Sequence, residues 1–386
     1  MNRNRPIDRR TFLGASGAAA ASALAACAPS ASLPVAVNTP ATAAGASWEA
    51  EWEKVIEAAK KEGKIGIFTL SGAGYRSAVA EFEQVFGITV EHQAENSASV
   101  WVPKMQKERE AGIYSYDVLV VPPNSALIRL KPSGTFDPVR PLIFRPDVMD
   151  DKAWRDGFEN QFMDFDKQLA FGYTNEVNHN VGIDTSQVDP SEFKGIRDLV
   201  NPKWKGKILI TDVRVGSTWL SMQAVRSQVP GADGLIKRLL VDQEPDFVRD
   251  DRQKAEALVR GRYPIVLGIV YATIDEFVKQ GLADHVKFLD VPEMDYAVSY
   301  TALLYNKAPH PNAAKLFFNW FLTKQGQTAW CKHIPINSAR TDVQSFNKNA
   351  AGTPGKKYYY ASRESEYPNQ LDTQKFLAKL VGLDVG

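Results

Sequence analysis

Short apolar runs alternate with amphipathic segments along the chain after residue 46. Runs such as KIGIFTL (64–70) and DVLVV (117–121) are nearly continuous apolar stretches, a pattern typical of buried strands. The strands predicted in this way are 64–70, 88–92, 117–121, 207–211, 265–269 and 285–289. Apolar residues spaced three or four apart predict helices over 47–63, 75–86, 98–111, 218–228, 250–260, 274–280 and 311–332. This alternation predicts an α/β fold of two lobes with mostly parallel sheets.

The first 26 residues have the pattern of an export signal. Residues 13–26 are mostly Ala, Ser and Gly, and this run is shorter than the roughly 20 apolar residues that a spanning helix needs. Arg9 and Arg10 before it resemble a twin-arginine export signal. Asp8 stands where that signal usually has Ser or Thr, so export of the unfolded chain stays open as an alternative.

Cys27 is the candidate lipidation residue. Leu24-Ala25-Ala26-Cys27 resembles a bacterial lipobox, in which the cysteine thiol receives diacylglycerol and becomes the new N-terminus. Acyl chains there would hold the protein at a membrane, and the small, almost uncharged residues 27–46 would form a flexible tether. We therefore expect a lipid-anchored protein outside the cytoplasm.

The net charge argues against nucleic-acid binding, and the cysteine content argues against an intrachain disulfide. Removal of residues 1–26 takes away four of the 46 basic residues and one of the 45 acidic residues, which leaves 42 and 44. A slightly acidic chain offers no electrostatic basis for binding nucleic acid. Cys331 is the second of two cysteines, so lipidation of Cys27 leaves no intrachain disulfide, and we expect Cys331 to be buried.

Ligands of an open α/β sheet bind beyond the carboxyl ends of its strands. The loops at those predicted ends contain hydroxyl, amide, glycine and aromatic residues, and one arginine. The candidate ligand-binding residues are Ser71, Gly72, Tyr75, Asn96, Ser97, Asn124, Arg214, Ser217, Thr218 and Tyr271. A helix that starts near Ser217 would direct free N–H groups at the ligand, and Arg214 or Arg76 could bind an anionic group in a bidentate manner.

Four ordered segments resemble the bacterial extracellular solute-binding proteins, the receptors of ATP-driven importers. The resemblance is to the branch that contains ferric iron, thiamine and aminophosphonate binders. The segments are IFTLSGAGYRSAVAEFEQVFGITVE (67–91), DLVNPKWKGKILITD (198–212), LVRGRYPIVLG (258–268) and LYNKAPHPNAAKLFFNWFLTKQGQ (304–327). Together they extend over nearly everything after Ser47.

This resemblance implies a type II periplasmic-binding-protein fold, in which two lobes close on a solute. A membrane permease then recognises the closed form of the receptor. The expected division is an export signal (1–26), a tether (27–46), the first part of lobe 1 (47–175), lobe 2 (176–290), and the return to lobe 1 with a C-terminal tail (291–386). The expected crossings lie at 173–175 and 290–300. We expect a monomer that binds a small molecule and needs no cofactor.

The resemblance leaves the solute open between an anionic or polar organic molecule and iron. Ferric members of the family use a His, a Glu and adjacent tyrosines. The matching stretches here are Ala73-Gly74, Pro123-Asn124 and Val270-Tyr271, which offer one tyrosine. We therefore expect no protein-bound metal and favour the organic solute, with iron or an iron complex as the alternative.

Two readings from other classes are a secreted hydrolase and a lipoprotein that binds another protein. Residues 191–194 (SEFK) match the S-x-x-K nucleophile motif, but its partner motifs S-D-N and K-T-G are absent from the sequence. The five histidines have no metal-ligand spacing. We expect no catalytic residues and a protein that is not an enzyme.

Overall fold

The computed structural model describes residues 47–353 and 355–383. The predicted export signal (1–26), the tether (27–46) and the lipidation residue Cys27 lie outside the described residues. Among the described helices, none combines the length and the apolar character needed to cross a membrane.

Strands and helices alternate through most of the described chain. The strands are β1 (Lys64–Thr69), β2 (Thr89–Ala94), β3 (Val118–Val121), β4 (Phe136–Asp137), β5 (Ala170–Gly172), β6 (Glu176–Asn178), β7 (Val181–Asp184), β8 (Ile208–Thr211), β9 (Asp246–Val248), β10 (Ile265–Leu267), β11 (Val286–Leu289), β12 (Tyr296–Val298), β13 (Thr301–Tyr305) and β14 (Tyr359–Tyr360). The helices are α1 (Trp48–Glu62), α2 (Ala73–Phe86), α3 (Ala98–Glu110), α4 (Pro123–Ser125), α5 (Pro146–Met149), α6 (Gly216–Gln228), α7 (Ala232–Lys237), α8 (Asp251–Val259), α9 (Tyr271–Lys279), α10 (Pro311–Phe321), α11 (Lys324–His333) and α12 (Tyr367–Leu380).

The first lobe is built on a mixed sheet with the order β2-β1-β3-β13-β4, in which β5 also pairs with β13. β1 runs parallel to β2 and β3, whereas β13, which follows the return from the second lobe, runs antiparallel to its neighbours. Helices α1, α2, α10 and α11 bury an aromatic core against this sheet. In that core the rings of Phe317 and Phe321 are stacked 5.0 Å apart, and Trp330 meets Phe321 edge-on. The closing helical region predicted over 311–332 is therefore core, as expected.

The second lobe has a mixed sheet with the order β11-β7-β10-β8-β9. β8 lies parallel to β9 and β10, and β7 lies antiparallel to β10 and β11. The parallel strands β8 and β10 end side by side, so Asp212 and Gly268 meet at the same edge of the sheet. Thr211 at the end of β8 donates its hydroxyl to the backbone oxygen of Gly268 at 3.0 Å.

The chain passes between the two sheets twice. The outward passage runs from β5 through β6 to β7, and the return runs from β11 through β12 to β13. β6 and β12 pair antiparallel, and β14 joins β12 to make a third, small sheet. The predicted α/β fold with two lobes and two crossing segments is confirmed.

The C-terminal helix lies in a different place from the one expected. The sequence predicts a return to lobe 1 that ends in a C-terminal tail over 291–386, but α12 within this stretch packs on α6 of the second lobe. Residues Gln370, Thr373, Leu377 and Ala378 are buried along one face of α12, and Leu377 belongs to the apolar core of the second sheet. This spacing of three and four residues gives α12 a face that one neighbouring helix can cover.

Candidate functional site

A cavity of about 410 Å³ lies where the crossing strands meet the second lobe. Its walls come from β6, from the start of α9, from β12 and Tyr300, and from two stretches of the segment that follows α11. The described lining residues are 176–179, 270–272, 275, 298, 300, 335–336, 346–347 and 349–350. The volume falls within the range of about 300–1,000 Å³ that is common for small-molecule sites.

Glu176 is the buried acidic group of this cavity. It is the first residue of β6 and is 8% exposed. Its carboxylate accepts hydrogen bonds from the backbone N–H of Asn337 and, at 3.3 Å, from the side-chain amide of Asn347. Burial raises the pKa of Glu176 to about 7, against the lowering effect of these two hydrogen bonds. The carboxyl group can therefore change its charge near neutral pH.

His179 and Asp295 form an ion pair at the edge of the cavity. The His179 Nδ1 atom lies 2.7 Å from Asp295 Oδ2, and Asp295 is fully buried. Burial alone lowers the pKa of His179, but the hydrogen bond and charge of Asp295, with the charge of Asp290, raise it above its ordinary value. Burial raises the pKa of Asp295 to about 6 although His179 opposes this. The imidazole is thus held in place and favoured in its charged form.

The same pair belongs to a possible metal-binding group, with Asp290 as its third member. The donor atoms of His179, Asp290 and Asp295 lie within 4.8 Å of one another. However, Asp290 Oδ2 already accepts hydrogen bonds from the Lys356 ammonium at 2.6 Å and from the Thr353 hydroxyl at 2.8 Å. A lysine ammonium therefore supplies the positive charge that a bound cation would bring to Asp290.

Three aromatic residues line the cavity as well. Tyr271 begins α9 and packs its ring 5.9 Å from that of Phe288. Tyr300 lies between β12 and β13, and Phe346 comes from the segment after α11. Burial, followed by the charge of Glu176, raises the pKa of Tyr300. This wall offers a solute both ring surface and hydroxyl groups.

In the first lobe, the structure brings some of the predicted residues together. The Ser71 N–H donates to the Asn96 side-chain oxygen at 2.8 Å, which joins the loops after β1 and β2. Ser97 precedes α3 and Asn124 lies in α4 after β3, so these loops share one sheet edge. Gly72 caps α2 with a φ of 156°, a conformation that favours glycine.

Tyr75 has a different environment from its neighbours in the loop. It is 8% exposed, and its ring meets that of Trp330 edge-on at 6.4 Å. Most of its surface therefore belongs to the core of the first lobe.

In the second lobe, Arg214 already has a partner within the protein. Its guanidinium binds the Asp212 carboxylate through two contacts, of 2.8 and 2.5 Å, and Arg249 binds the same carboxylate at 2.9 Å. The Thr218 hydroxyl donates to the backbone oxygen of Thr211 at 2.7 Å. The Ser217 hydroxyl is buried and finds no hydrogen-bond partner among the described residues.

Of the ten candidate residues, all of which are described, Tyr271 is the one that lines the cavity. The cavity is also lined by residues that the sequence pattern does not predict, namely Glu176, His179, Tyr300, Phe346 and Asn347. A signal for the first of these was present, because residues 173–175 were predicted as a crossing and the residues that follow a crossing lie between the lobes. The polar segment at 346–350 carries no periodic pattern that could have placed it there.

A family described as bacterial extracellular solute-binding protein matches residues 77–354. The chain belongs to this family. Membership implies a small-molecule ligand, an ABC permease as partner and a location outside the cytoplasm. The family description is that of binding proteins. A search of curated proteins gives no match.

Solved structures with the same fold include several solute-binding proteins. The Trichodesmium FutA (IdiA) protein, in complex with iron and citrate, is 18% identical, with a TM-score of 0.63 over 83% of this chain and 100% of that chain. The ferric iron-binding protein A of Mannheimia haemolytica, in an open conformation, is 12% identical, with a TM-score of 0.65 over 84% and 100%. The spermidine/putrescine-binding protein PotD of Streptococcus pneumoniae is 12% identical, with a TM-score of 0.61 over 82% and 99%. The predicted two-lobed periplasmic-binding-protein fold is confirmed.

Proposed function

We propose that the protein is the lipid-anchored receptor of an ABC importer, and that it captures a small polar organic solute in the cavity around Glu176 and Tyr271. The observation that carries this proposal is the origin of the cavity walls. They come from the second lobe, from both crossing segments and from the segment after α11. A solute that contacts all of these elements stabilises one arrangement of the lobes over others, which is how hinge closure is driven.

The export signal, the lipid on Cys27 and the monomeric state belong to the same proposal. An importer needs its receptor on the outer side of the cytoplasmic membrane, close to the permease. Acylation of Cys27 would keep the folded part there, and residues 28–46 would let it reach the permease. A single receptor molecule with one cavity is sufficient for this task.

Small-angle scattering together with thermal melting tests the receptor function. A solute at a hundredfold excess over its dissociation constant stabilises the folded state by about 2.7 kcal/mol. We expect a bound solute to raise the melting temperature and to reduce the radius of gyration. A secreted hydrolase would instead convert its substrate, and a protein-binding lipoprotein would show neither response to any small molecule.

Iron, free or as a complex, is the second candidate solute. Tyr271 and Tyr300 line the same cavity together with Glu176 and His179, and these side chains carry the oxygen and nitrogen donors that iron accepts. Two of the similar structures are iron-binding proteins. A ferric-phenolate absorption band that appears with ferric citrate and disappears in Tyr271→Phe would establish this candidate. Its absence at saturating ferric citrate would leave the organic solute.

A further inference from the structure

We propose that the solute carries a cationic group, such as an organic ammonium, and that the Glu176 carboxylate is the counterion of that group. This inference rests on the proposed function, because it takes the cavity to be the solute site. Such a solute is opposite in charge to the anionic group that Arg214 is predicted to bind.

The charged side chains that line the cavity favour a cationic solute. Its described lining contains two acidic side chains, Glu176 and Asp275, one histidine, and no lysine or arginine. Asp275 already pairs with Lys279 at 2.6 Å and its side chain is 41% exposed. The positive charge that His179 can carry is directed at Asp295, 2.7 Å away. Glu176 is therefore the acidic group of this wall that lacks a cationic partner among the described residues.

The surroundings of Glu176 leave the charge of its carboxylate without a counterion. A carboxylate that is 8% exposed loses most of its hydration, and the two groups that hydrogen-bond to it, from Asn337 and Asn347, are neutral amides. The amides fix the position of the carboxylate without neutralising it. A cation that enters the cavity would supply the missing charge in a place where water screens the attraction little.

Aromatic side chains on the same wall also favour an organic cation. Tyr271, Tyr300 and Phe346 line the cavity together with Glu176. Aromatic rings attract organic cations through their negative faces, most strongly where the cation is desolvated. An organic ammonium would thus meet a carboxylate and ring surface at once, whereas an anion would meet two carboxylates.

Arg214, the arginine that the sequence predicts as an anion-binding residue, does not favour an anionic solute in this cavity. Arg214 forms two contacts with Asp212, and Arg249 contacts the same carboxylate. Neither arginine lines the cavity. An anionic group could reach only the Arg214 donors that Asp212 leaves free, and the Asp212 carboxylate would repel it there.

The binding of a cation should depend on pH in a defined way. The titratable groups that line the cavity with Glu176 are His179, Asp275, Tyr271 and Tyr300. The Cys331 thiol is buried, and the nearby charge of Glu176 adds to burial in raising its pKa. Protonation of Glu176 removes the counterion, so affinity should fall by up to tenfold per pH unit below neutral pH. Any dependence that remains after Glu176 is replaced is assigned to the His179–Asp295 pair, whose two members titrate together.

The experiment uses the full chain, its Glu176→Gln variant and a matched control, Glu57→Gln. Gln keeps the size of the side chain and can still accept the hydrogen bond from Asn337. Glu57→Gln makes the same charge change on the exposed face of α1. The cationic probes are choline and 1,4-diaminobutane, the neutral probe is glucose, and the anionic probes are citrate and inorganic phosphate. Titration calorimetry gives affinities at pH 6 and pH 8, and circular dichroism verifies that each variant is folded.

We expect one or both cationic probes to bind the wild-type chain and the Glu57→Gln variant, more tightly at pH 8, and to lose at least tenfold in affinity in Glu176→Gln. Binding of glucose, citrate or phosphate without binding of either cation would overturn the cation inference and leave the receptor function standing. Equal binding of a cation by Glu176→Gln and the wild-type chain would also overturn it. If a broad solute library caused neither compaction nor stabilisation, the receptor function itself would fail.

Discussion

The Nδ1 atom of His179 lies 2.7 Å from Oδ2 of the buried Asp295, and this contact joins the two segments that connect the lobes. His179 follows β6 on the outward crossing, and Asp295 precedes β12 on the return. Asp295 Oδ2 also accepts a hydrogen bond from the Val291 N–H at 3.0 Å. The ion pair therefore fixes the two crossings to each other beside the cavity.

Replacement of Asp295 by Asn should lower the pKa of His179. The carboxylate opposes the effect of burial on the imidazole, and without it only Asp290 and the backbone of Ala351 still oppose burial, so the pKa should fall. Titration of the His179 ring by two-dimensional NMR measures this change. The Glu57→Gln variant serves as the control and should leave the titration unchanged. An unaltered pKa in Asp295→Asn would show that the pair has no electrostatic role at the crossing.

Replacement of Glu176 by Gln should stabilise the protein at high pH. The ordinary pKa of this group is 4.5 in the unfolded chain and burial raises it to about 7 in the folded state. The folded state therefore holds the proton more tightly, so the stability of the wild-type chain decreases as pH rises from about 4.5 to 7.

Because Gln does not titrate, the variant should be more stable than the wild-type chain by on the order of 3 kcal/mol at pH 8. The difference should disappear near pH 4.5. Urea unfolding at the two pH values measures both numbers. A difference that did not change with pH would show that Glu176 has the same pKa in both states.

Strongly patterned parts of the fold could be predicted from the sequence. The strand expected at 64–70 is β1 (Lys64–Thr69), and the helix expected at 98–111 is α3 (Ala98–Glu110). Ser71 and Asn96 were expected at one sheet edge because β1 and β2 are parallel, and their hydrogen bond places them there. Continuous apolar runs and parallel strand ends are local signals that a single sequence carries.

The cavity could be predicted only in small part, because its walls depend on long-range pairing. β6 is three residues long, and it becomes part of a sheet only when β12, more than 100 residues away, pairs with it. Asn347 reaches Glu176 across 171 positions of sequence. Similarly, the sequence does not reveal that Arg214 has an ion-pair partner. Only the geometry of the turn directs its side chain to Asp212, two residues before it.

Replacement of Cys27 by Ser should release the protein from the membrane. Thioether-linked acyl chains cannot form on a serine hydroxyl in this position, so the variant would lack the proposed lipid anchor. Fractionation of cells that express each form, together with metabolic labelling by radioactive palmitate, measures the effect. Cys331→Ser is the matched control and should keep both the label and the membrane location. Membrane retention of unlabelled Cys27→Ser would contradict lipid anchoring.

Replacement of Leu377 by Ala should destabilise the protein by about 2–5 kcal/mol. Leu377 is fully buried in the core of the second lobe, and the truncation removes apolar contacts and leaves a cavity. Leu371 on the same helix is 57% exposed, so Leu371→Ala should change stability by less than about 0.5 kcal/mol. Chemical unfolding of both variants tests whether α12 is part of the folded second lobe. Equal effects of the two substitutions would contradict the packing of α12 on α6.

Replacement of Arg214 by Ala should leave the affinity for a cationic solute within about twofold of the wild-type value. The side chain is 48% exposed and bound to Asp212, and Arg249 stays on that carboxylate after the substitution. Arg249→Ala is the matched variant, since it removes the other arginine from the same carboxylate. Titration calorimetry with choline, 1,4-diaminobutane and citrate distinguishes a receptor for a cationic solute from a receptor for an anionic one. If citrate bound the wild-type chain and Arg214→Ala alone abolished that binding, Arg214 would be a solute-binding residue despite its pairing with Asp212, and the solute would be an anion.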